Sequence, residues 1–483
     1  MKPTFNSLVA ALLLILGGCA VNPVTGQRDF VTVSESEEIR QGQTYHQSII
    51  ASYGIYDDPA LQAYINGIGQ QLAASSHRAH LKYTFTLLDS PEINAFALPG
   101  GYVYITRGIM AYLGSEAELA GVLGHEIGHV TARHSVRQQS GQLASSLLNV
   151  LVMATTGSEG LGNLSQQLGT GIIRGYGRDH ELEADRLGAE YLHNSGFDPE
   201  VMLNVIKVLK DQEVYEQALA KKQNREPNIY HGVFSTHPEN DDRLQTVVRA
   251  AKQLSVKTYR DSNQQGYFNA VEGLAWGQSI HQGVVVDNRF MHPDLAIAIQ
   301  FPRDWQVKNN PEFLQAQHPQ NGTLVQLGTV KRNPDESMAA LVRRLSKNSK
   351  LEVEEHASVA SALIQVKPTS GEFQPARISA IAIDKDRALT LLGTSSDEHF
   401  AKADREFEAI NQSFTRLSKL QVKAIKPPRL RVIERGNLRS FEQLAQRSSI
   451  EFDAVNILRL LNRAYPDGKI ENLKQLKIIS FDP

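Results

Sequence analysis

Two histidines and a glutamate form the clearest chemical pattern in this sequence, within the five residues 125–129. His125 and His129 are four residues apart, so on a helix they face the same side, about 6 Å apart, and suit two ligands of one metal ion. Glu126 directly follows the first histidine, where its carboxylate can reach a metal-bound water rather than the metal itself. Because such a pattern also arises by chance in helices, a third ligand is needed to support a hydrolytic metal site.

The third ligand separates the possible classes of metal site. A metzincin needs a third histidine at position 135, which is Ser135 here, so that class is excluded. His134 is displaced by one residue, and we expect it at the end of the helix, interacting with terminal carbonyls. Glu181 and Asp185 are four residues apart on a second predicted helix, closed by Gly196. Glu181 can supply the third ligand and Asp185 can orient a ligating histidine; the alternative is a solvated acidic helix face.

A further histidine and arginine follow at a distance in sequence. His237 precedes a proline, which favours an extended backbone at the histidine, and Arg243 follows six residues later on an expected helix. The pair could stabilise an oxyanion, or His237 could occupy the fourth metal position. Without the metal motif, both would be interpreted as surface residues.

The elements that must position these groups are mostly helical between residues 22 and 255. Ser115 and Glu118 form a capping-box pattern, which predicts a helix from about 116 to 134. A short alternating stretch that ends at Thr106 predicts a strand entered through a glycine turn. We expect this strand to offer an edge to an extended substrate, through residues Gly101, Tyr102, Val103 and Tyr104.

Composition limits the remaining possibilities. The chain has 483 residues, long enough for about three domains, and a net charge of −2, which excludes a basic nucleic-acid binder. Its single cysteine, Cys19, follows a short apolar run and two glycines. The N-terminus therefore resembles a bacterial lipoprotein signal with Cys19 as the lipidation site, the alternative being an ordinary signal peptide. Ala20 favours the outer membrane.

The sequence predicts a multidomain α+β protein. A signal peptide covers residues 1–19, and a mainly helical zincin-type domain with a small sheet covers 20–260. Between about 285 and 415 the residue pattern changes and predicts strands at 295–299, 323–327 and 378–383 and helices at 335–347 and 401–414. This change indicates a separate α/β sandwich module at 280–418. Lys-Pro-Pro precedes a small module at 429–483 and predicts a stiff linker.

The motifs together resemble those of the HtpX/BepA-like zinc metallopeptidases, a gluzincin family. The resemblance covers roughly residues 22–255, through Asn22–Gly26, Asn94–Gly101, His125–His129, Glu181–Asp185, Thr236–Pro238 and Arg243. It implies one Zn²⁺ per chain bound by His125, His129 and Glu181, with Glu126 as general base. It further implies that Asp185 orients a ligand and that His237 and Arg243 assist catalysis or regulation.

The two following modules also carry resemblances. Residues 280–418 resemble a PsbP-like module through Phe301–Trp305 and Asn411–Phe414, and residues 429–483 resemble a LysM module in outline. The latter implies a possible contact with peptidoglycan, a plain adaptor domain being the alternative. The resemblances together imply a lipid-anchored periplasmic endopeptidase acting on unfolded or misassembled envelope proteins. The alternative function is a periplasmic chaperone or scaffold with a latent or structural zinc site.

Overall fold

The computed structural model describes residues 19–140, 177–227, 258–309, 314–333, 335–356, 358–367 and 373–481, with the single positions 249, 251 and 254. These residues form two compact units, one from Met1–Trp276 and Pro428–Pro483 and the other from Gly277–Pro427. Helices and several sheets occur in the described chain, which confirms an α+β architecture of more than one unit. Among the described residues, no helix is both long and apolar enough to cross a lipid bilayer.

Of the twelve described α-helices, eight begin at a serine, threonine, aspartate or asparagine whose side chain accepts a backbone N–H of the first turn, as at Ser34, Asp58 and Ser115. They are α1 Glu35–Tyr53, α2 Pro59–Ala74, α3 Arg107–Tyr112, α4 Glu116–Thr131, α5 Arg178–Asn194, α6 Val201–Lys222, α7 Gln264–Val271, α8 Met338–Leu345, α9 Asp397–Gln412, α10 Lys419–Ala424, α11 Phe441–Ala445 and α12 Ala454–Leu461. Short 3₁₀ helices span Ile280–Gln282 and Ile470–Asn472.

The strands of the first unit form small sheets. They are β1 Cys19–Val21, β2 Arg28–Phe30, β3 Thr84–Leu88, β4 Ala95–Leu98 and β5 Tyr102–Thr106, followed near the C-terminus by β17 Arg429–Glu434 and β18 Gln475–Ser480. Strands β1 and β2 pair with each other, as do β17 and β18. The remaining sheet, β3-β5-β4, lies beside α4, the helix that carries His125 and His129.

Strand β5 is the central strand of the β3-β5-β4 sheet, so the expectation that it offers an edge to a substrate is wrong. It pairs in parallel with β3 and antiparallel with β4. Gly100 and Gly101, with φ of 80° and 95°, reverse the chain between β4 and β5. Gly101 therefore lies in the turn, whereas Tyr102, Val103 and Tyr104 are bonded on both sides. Pairing between strands distant in sequence decides which strand is central, and the local alternation of residues does not report it.

Helix α4 begins as its sequence predicts and ends earlier. The Ser115 hydroxyl accepts the N–H of Glu118, but the Glu118 carboxylate accepts the N–H of Gly114 at 2.7 Å. The helix ends at Thr131 rather than near residue 134. Arg133 follows in the left-handed region with a φ of 55°, and a new helical stretch runs over 134–140. The chain therefore changes direction directly after the second histidine of the motif.

The C-terminal segment shares one hydrophobic core with the helices of the first unit. Leu430, Leu461 and Ile479 belong to the same buried cluster as residues of α4 and α6. The buried ammonium group of Lys477 donates to the carbonyl oxygens of Ala111, at 2.7 Å, and Leu113, just before α4. These contacts attach the expected module 429–483 to the start of α4.

Residues Gly277–Pro427 form the second unit around two sheets. Its strands are β6 Val284–Val286, β7 Arg289–His292, β8 Ile297–Gln300, β9 Gln306–Asn309, β10 Leu314–Gln317, β11 Leu324–Lys331, β12 Glu354–His356, β13 Val359–Val366, β14 Gln374–Ala382, β15 Arg387–Thr394 and β16 Thr415–Arg416. They form the orders β12-β13-β14-β15-β11-β10-β9 and β16-β8-β7-β6. The predicted strands correspond to β8, β11 and β14 and the predicted helices to α8 and α9; the sequence did not predict the other strands.

Candidate metal centre

Small residues bring α4 and α5 close together. A Cβ atom added to Gly128 would lie 2.9 Å from the carbonyl oxygen of Ala184. One added to Gly188 would lie 3.1 Å from the backbone nitrogen of His125. Each distance is shorter than an ordinary carbon contact, so a larger residue at either position would force the neighbouring backbone to move. The close approach places a residue of α5 within reach of the two histidines of α4.

Three buried side chains converge between α4 and α5. His125, His129 and Glu181 each offer one ligand atom, and these atoms lie within 4.8 Å of one another, so the group could hold a metal ion. The two Nε2 atoms are 3.0 Å apart, and each lies 3.4 Å from an oxygen of Glu181. Glu181 is buried like the two histidines. The arrangement brings the three residues that the sequence suggested as ligands to one point.

The separations of these atoms fit zinc. Tetrahedral coordination with bonds of about 2.0–2.1 Å places two ligand atoms roughly 3.3–3.4 Å apart. The observed separations of 3.0 and 3.4 Å are close to that spacing. Burial lowers the pKa of His129 well below its usual value, more than the Glu181 carboxylate raises it. The ring is therefore neutral near pH 7 and has a lone pair available for a cation.

The remaining ring nitrogen of each histidine ligand lies against another buried side chain. His125 directs its Nδ1 to the carboxylate of Asp185, 2.9 Å away. Asp185 is fully buried and lies one helical turn after Glu181 on α5. A carboxylate in this place would fix the hydrogen on Nδ1 and leave Nε2 as the atom able to bind a metal ion.

His129 contacts a different kind of partner, the imidazole of His134. Its Nδ1 lies 2.8 Å from Nδ1 of His134, which is fully buried, so this ring contacts a side chain of α4 where terminal carbonyls were expected. The Nε2 of His134 in turn lies 3.1 Å from a carboxylate oxygen of Glu183 on α5. The left-handed turn at Arg133 redirects the chain so that His134 meets His129. No sequence signal places His134 beside His129, because the contact depends on the left-handed backbone at Arg133.

Glu126 lines a small cavity together with His125. The carboxylate is 1% exposed, on the turn of α4 that carries both ligands. The cavity, of about 30 Å³, is otherwise largely apolar, and its lining includes Ala95, Val122, His125, Glu126 and Val205. A water or substrate group in this space would touch Glu126 and the ligand ring together. The other sequence-suggested catalytic residues, His237 and Arg243, lie outside the described residues.

Two histidines and a carboxylate around one point, with a neighbouring glutamate, define the arrangement of a metallopeptidase site. Residues 59–251 match the family model of peptidase family M48, which supports a metalloprotease domain in this part of the chain. That match contains every ligand of the candidate metal centre.

Two relatives extend the comparison. The chain is 33% identical to the beta-barrel assembly-enhancing protease of Yersinia pestis over 258 residues, which is 51% of this chain and 50% of that protein. It is 29% identical to the mitochondrial metalloendopeptidase OMA1 of Schizosaccharomyces pombe over 240 residues, 49% of this chain and 67% of that protein. The chain thus spans about half the length of the first of these relatives.

A solved structure is similar to the chain only at a low level. The cyanobacterial PsbP of Synechocystis aligns with 28% of this chain and 95% of its own, at 8% identity and a TM-score of 0.21. A score this low carries no argument about the fold of the second unit.

Proposed function

We propose that this protein is a zinc-dependent endopeptidase of the bacterial cell envelope that hydrolyses peptide bonds in unfolded or misassembled envelope proteins. The observation that carries the proposal is the convergence of His125, His129 and Glu181 beside the buried carboxylate of Glu126. The match to peptidase family M48 and the similarity to an assembly-enhancing protease support the reaction class and the choice of substrate.

The residues of the proposed site have different roles in hydrolysis. Zinc held by His125, His129 and Glu181 would supply a Lewis acid that polarises the scissile carbonyl and lowers the pKa of water. Glu126 takes the proton from the attacking water and passes it to the leaving amine. Asp185 holds the ring of His125 in the orientation for binding.

His237 and Arg243 complete the proposed site. One of them stabilises the oxyanion that forms on the scissile carbonyl. Alternatively, His237 occupies the fourth ligand position and keeps the enzyme latent.

The proposed cellular setting follows from the flanking segments. Lipidation of Cys19 anchors the protein in the outer membrane, with the peptidase in the periplasm. Residues 280–418 form a PsbP-like module and residues 429–483 a LysM-like module with possible peptidoglycan contact.

Substituting Glu126→Gln tests the proposal. The amide cannot accept the proton of water, so we expect zinc content to be unchanged and cleavage of casein to fall by roughly 10²–10⁴-fold. Glu190→Gln, a half-exposed position on α5, is the matched control and should keep full activity. Cleavage by the Glu126→Gln protein at the wild-type rate would contradict the assignment. The rival scaffold function instead predicts that the wild type binds zinc and shows no chelator-sensitive cleavage.

A further inference from the structure

The two histidine ligands of the candidate metal centre are held in different ways. His125 meets a carboxylate directly, through Asp185. His129 meets a second imidazole, that of His134, and the nearest carboxylate of that series belongs to Glu183. Both rings direct Nε2 to the same point, so the two histidines differ in the partner that each Nδ1 contacts.

Hydrogen-bond chemistry determines where the protons lie along this series. With Nε2 of His129 facing the metal group, its hydrogen is on Nδ1 and is donated to Nδ1 of His134. A neutral ring that accepts at Nδ1 has its own hydrogen on Nε2. That hydrogen is donated to the Glu183 carboxylate, 3.1 Å away. One tautomer of each ring therefore satisfies both contacts.

The outer end of the series is held by charge. Arg137 donates through Nη1 to the same oxygen of Glu183, at 2.8 Å, and contacts Asp29 at 3.3 Å. Glu183 therefore accepts hydrogen bonds from both His134 and Arg137 through one carboxylate oxygen.

Packing fixes the ring of His134 in its place. The ring of His180 stacks on it with centroids 4.3 Å apart and an interplanar angle of 19°. The side chain of Arg133, which sets the preceding turn, is anchored by Glu38 at 2.9 Å and by the carbonyl of Val33 at 2.8 Å. His134 is therefore held by contacts on its face, at both nitrogens and through its backbone.

We propose that His134, held by Glu183 and Arg137, is a positioning residue that fixes the tautomer and orientation of His129 for metal binding. The proposal rests on the proposed zinc site and adds a residue outside the ligand set. Side chains of this kind are worth roughly 10–100-fold in metal affinity.

The test compares two substitutions of similar size. His134→Leu removes the acceptor, and we expect zinc affinity, measured by competition with a chromophoric chelator, to fall by roughly 10–100-fold. His134→Asn places an amide oxygen near the position of Nδ1, so it should recover most of that loss. The visible spectrum of the Co²⁺-loaded protein should shift in His134→Leu and return towards the wild-type form in His134→Asn.

A second pair of substitutions keeps the proposal testable if His134→Leu does not fold. Glu183→Met removes the carboxylate at nearly constant shape and should weaken zinc binding by about 10-fold. Glu183→Gln retains an acceptor oxygen and should have a smaller effect. His281→Leu, which removes an exposed histidine beside Asp294 in the second unit, is the control and should leave affinity unchanged.

The outcomes separate this inference from the proposed function. If the wild type binds zinc tightly and neither His134→Leu nor Glu183→Met weakens it, the positioning role is wrong and the zinc site stands. Asn at position 134 performing no better than Leu would also overturn the role, because a purely structural effect would not depend on the acceptor. A wild type that binds no zinc would overturn the proposed function as well.

Discussion

Substituting Gly128→Ala should damage the metal centre more than it damages the fold. The added Cβ would lie 2.9 Å from the carbonyl oxygen of Ala184, about 0.5 Å closer than the 3.4 Å of an ordinary contact. That oxygen is backbone, so α4 and α5 must separate. Overpacking of this kind costs about 1–3 kcal/mol, while alanine gains about 1 kcal/mol of helix propensity over glycine. We expect a net loss of about 0–2 kcal/mol in the free energy of unfolding.

The effect on metal binding is larger because the ligands lie on both helices. Separating α4 from α5 by about 0.5 Å increases the distance from Glu181 to His125 and His129, now 3.4 Å for each pair. Zinc sites tolerate deviations of only about 0.2 Å in ligand distances. Zinc affinity should therefore fall by at least about 10-fold.

Two other glycines provide the matched controls. Gly121 is also on α4, but its added Cβ would meet nothing closer than 3.5 Å, and Gly67 on α2 has nothing within 4 Å. Alanine at either position should stabilise the protein by up to about 1 kcal/mol and leave zinc affinity unchanged. The measurements are denaturant unfolding of the apoprotein and chelator competition. Equal zinc affinities for Gly128→Ala and Gly121→Ala would refute the reasoning.

Two further predictions concern pH and metal removal. Burial lowers the pKa of Lys477 to about 7, so between about pH 7 and 10.5 the unfolded chain binds a proton that the native state lacks, and the free energy of unfolding should rise with pH. Relative to Lys477→Met, the wild type should gain about 2 kcal/mol from pH 7.5 to 9 in denaturant unfolding. A difference between the two proteins that does not change with pH would contradict this. Zinc at 100 times its Kd stabilises the folded protein by about 2.7 kcal/mol. EDTA should therefore lower the Tm of the wild type by several degrees in calorimetry and leave the Tm of His129→Ala unchanged. Equal shifts in both proteins would argue against the zinc site.

The parts of the site that lie within one helix were accessible from sequence. The periodicity of α4 places His125 and His129 on one face, and that of α5 does the same for Glu181 and Asp185, because helical geometry depends only on local spacing. That the two helices meet face to face depends on glycine and alanine contacts between them. The sequence contains these small residues without indicating which of them face each other.

The parts that sequence reasoning missed depend on single backbone conformations and on pairing over long distances. The φ of 55° at Arg133 brings His134 to His129, and nothing in the identity of an arginine predicts a left-handed residue. The central position of β5 depends on its parallel pairing with β3, which the alternation of residues in β5 does not specify. In the second unit, β11 and β14 were predicted in part, whereas β13 and β15, which pair with β14, were not predicted.

The contacts of Lys477 join two segments that are synthesised at very different times. Its ammonium group reaches the carbonyls of Ala111 and Leu113 across 366 and 364 residues of chain. The whole of Gly277–Pro427 lies between these partners in sequence. During synthesis, the loop that leads into the histidine-bearing helix can therefore accept hydrogen bonds from Lys477 only after the second unit has been synthesised. A nascent chain thus carries His125 and His129 long before the residues that lead into their helix gain the contacts of Lys477.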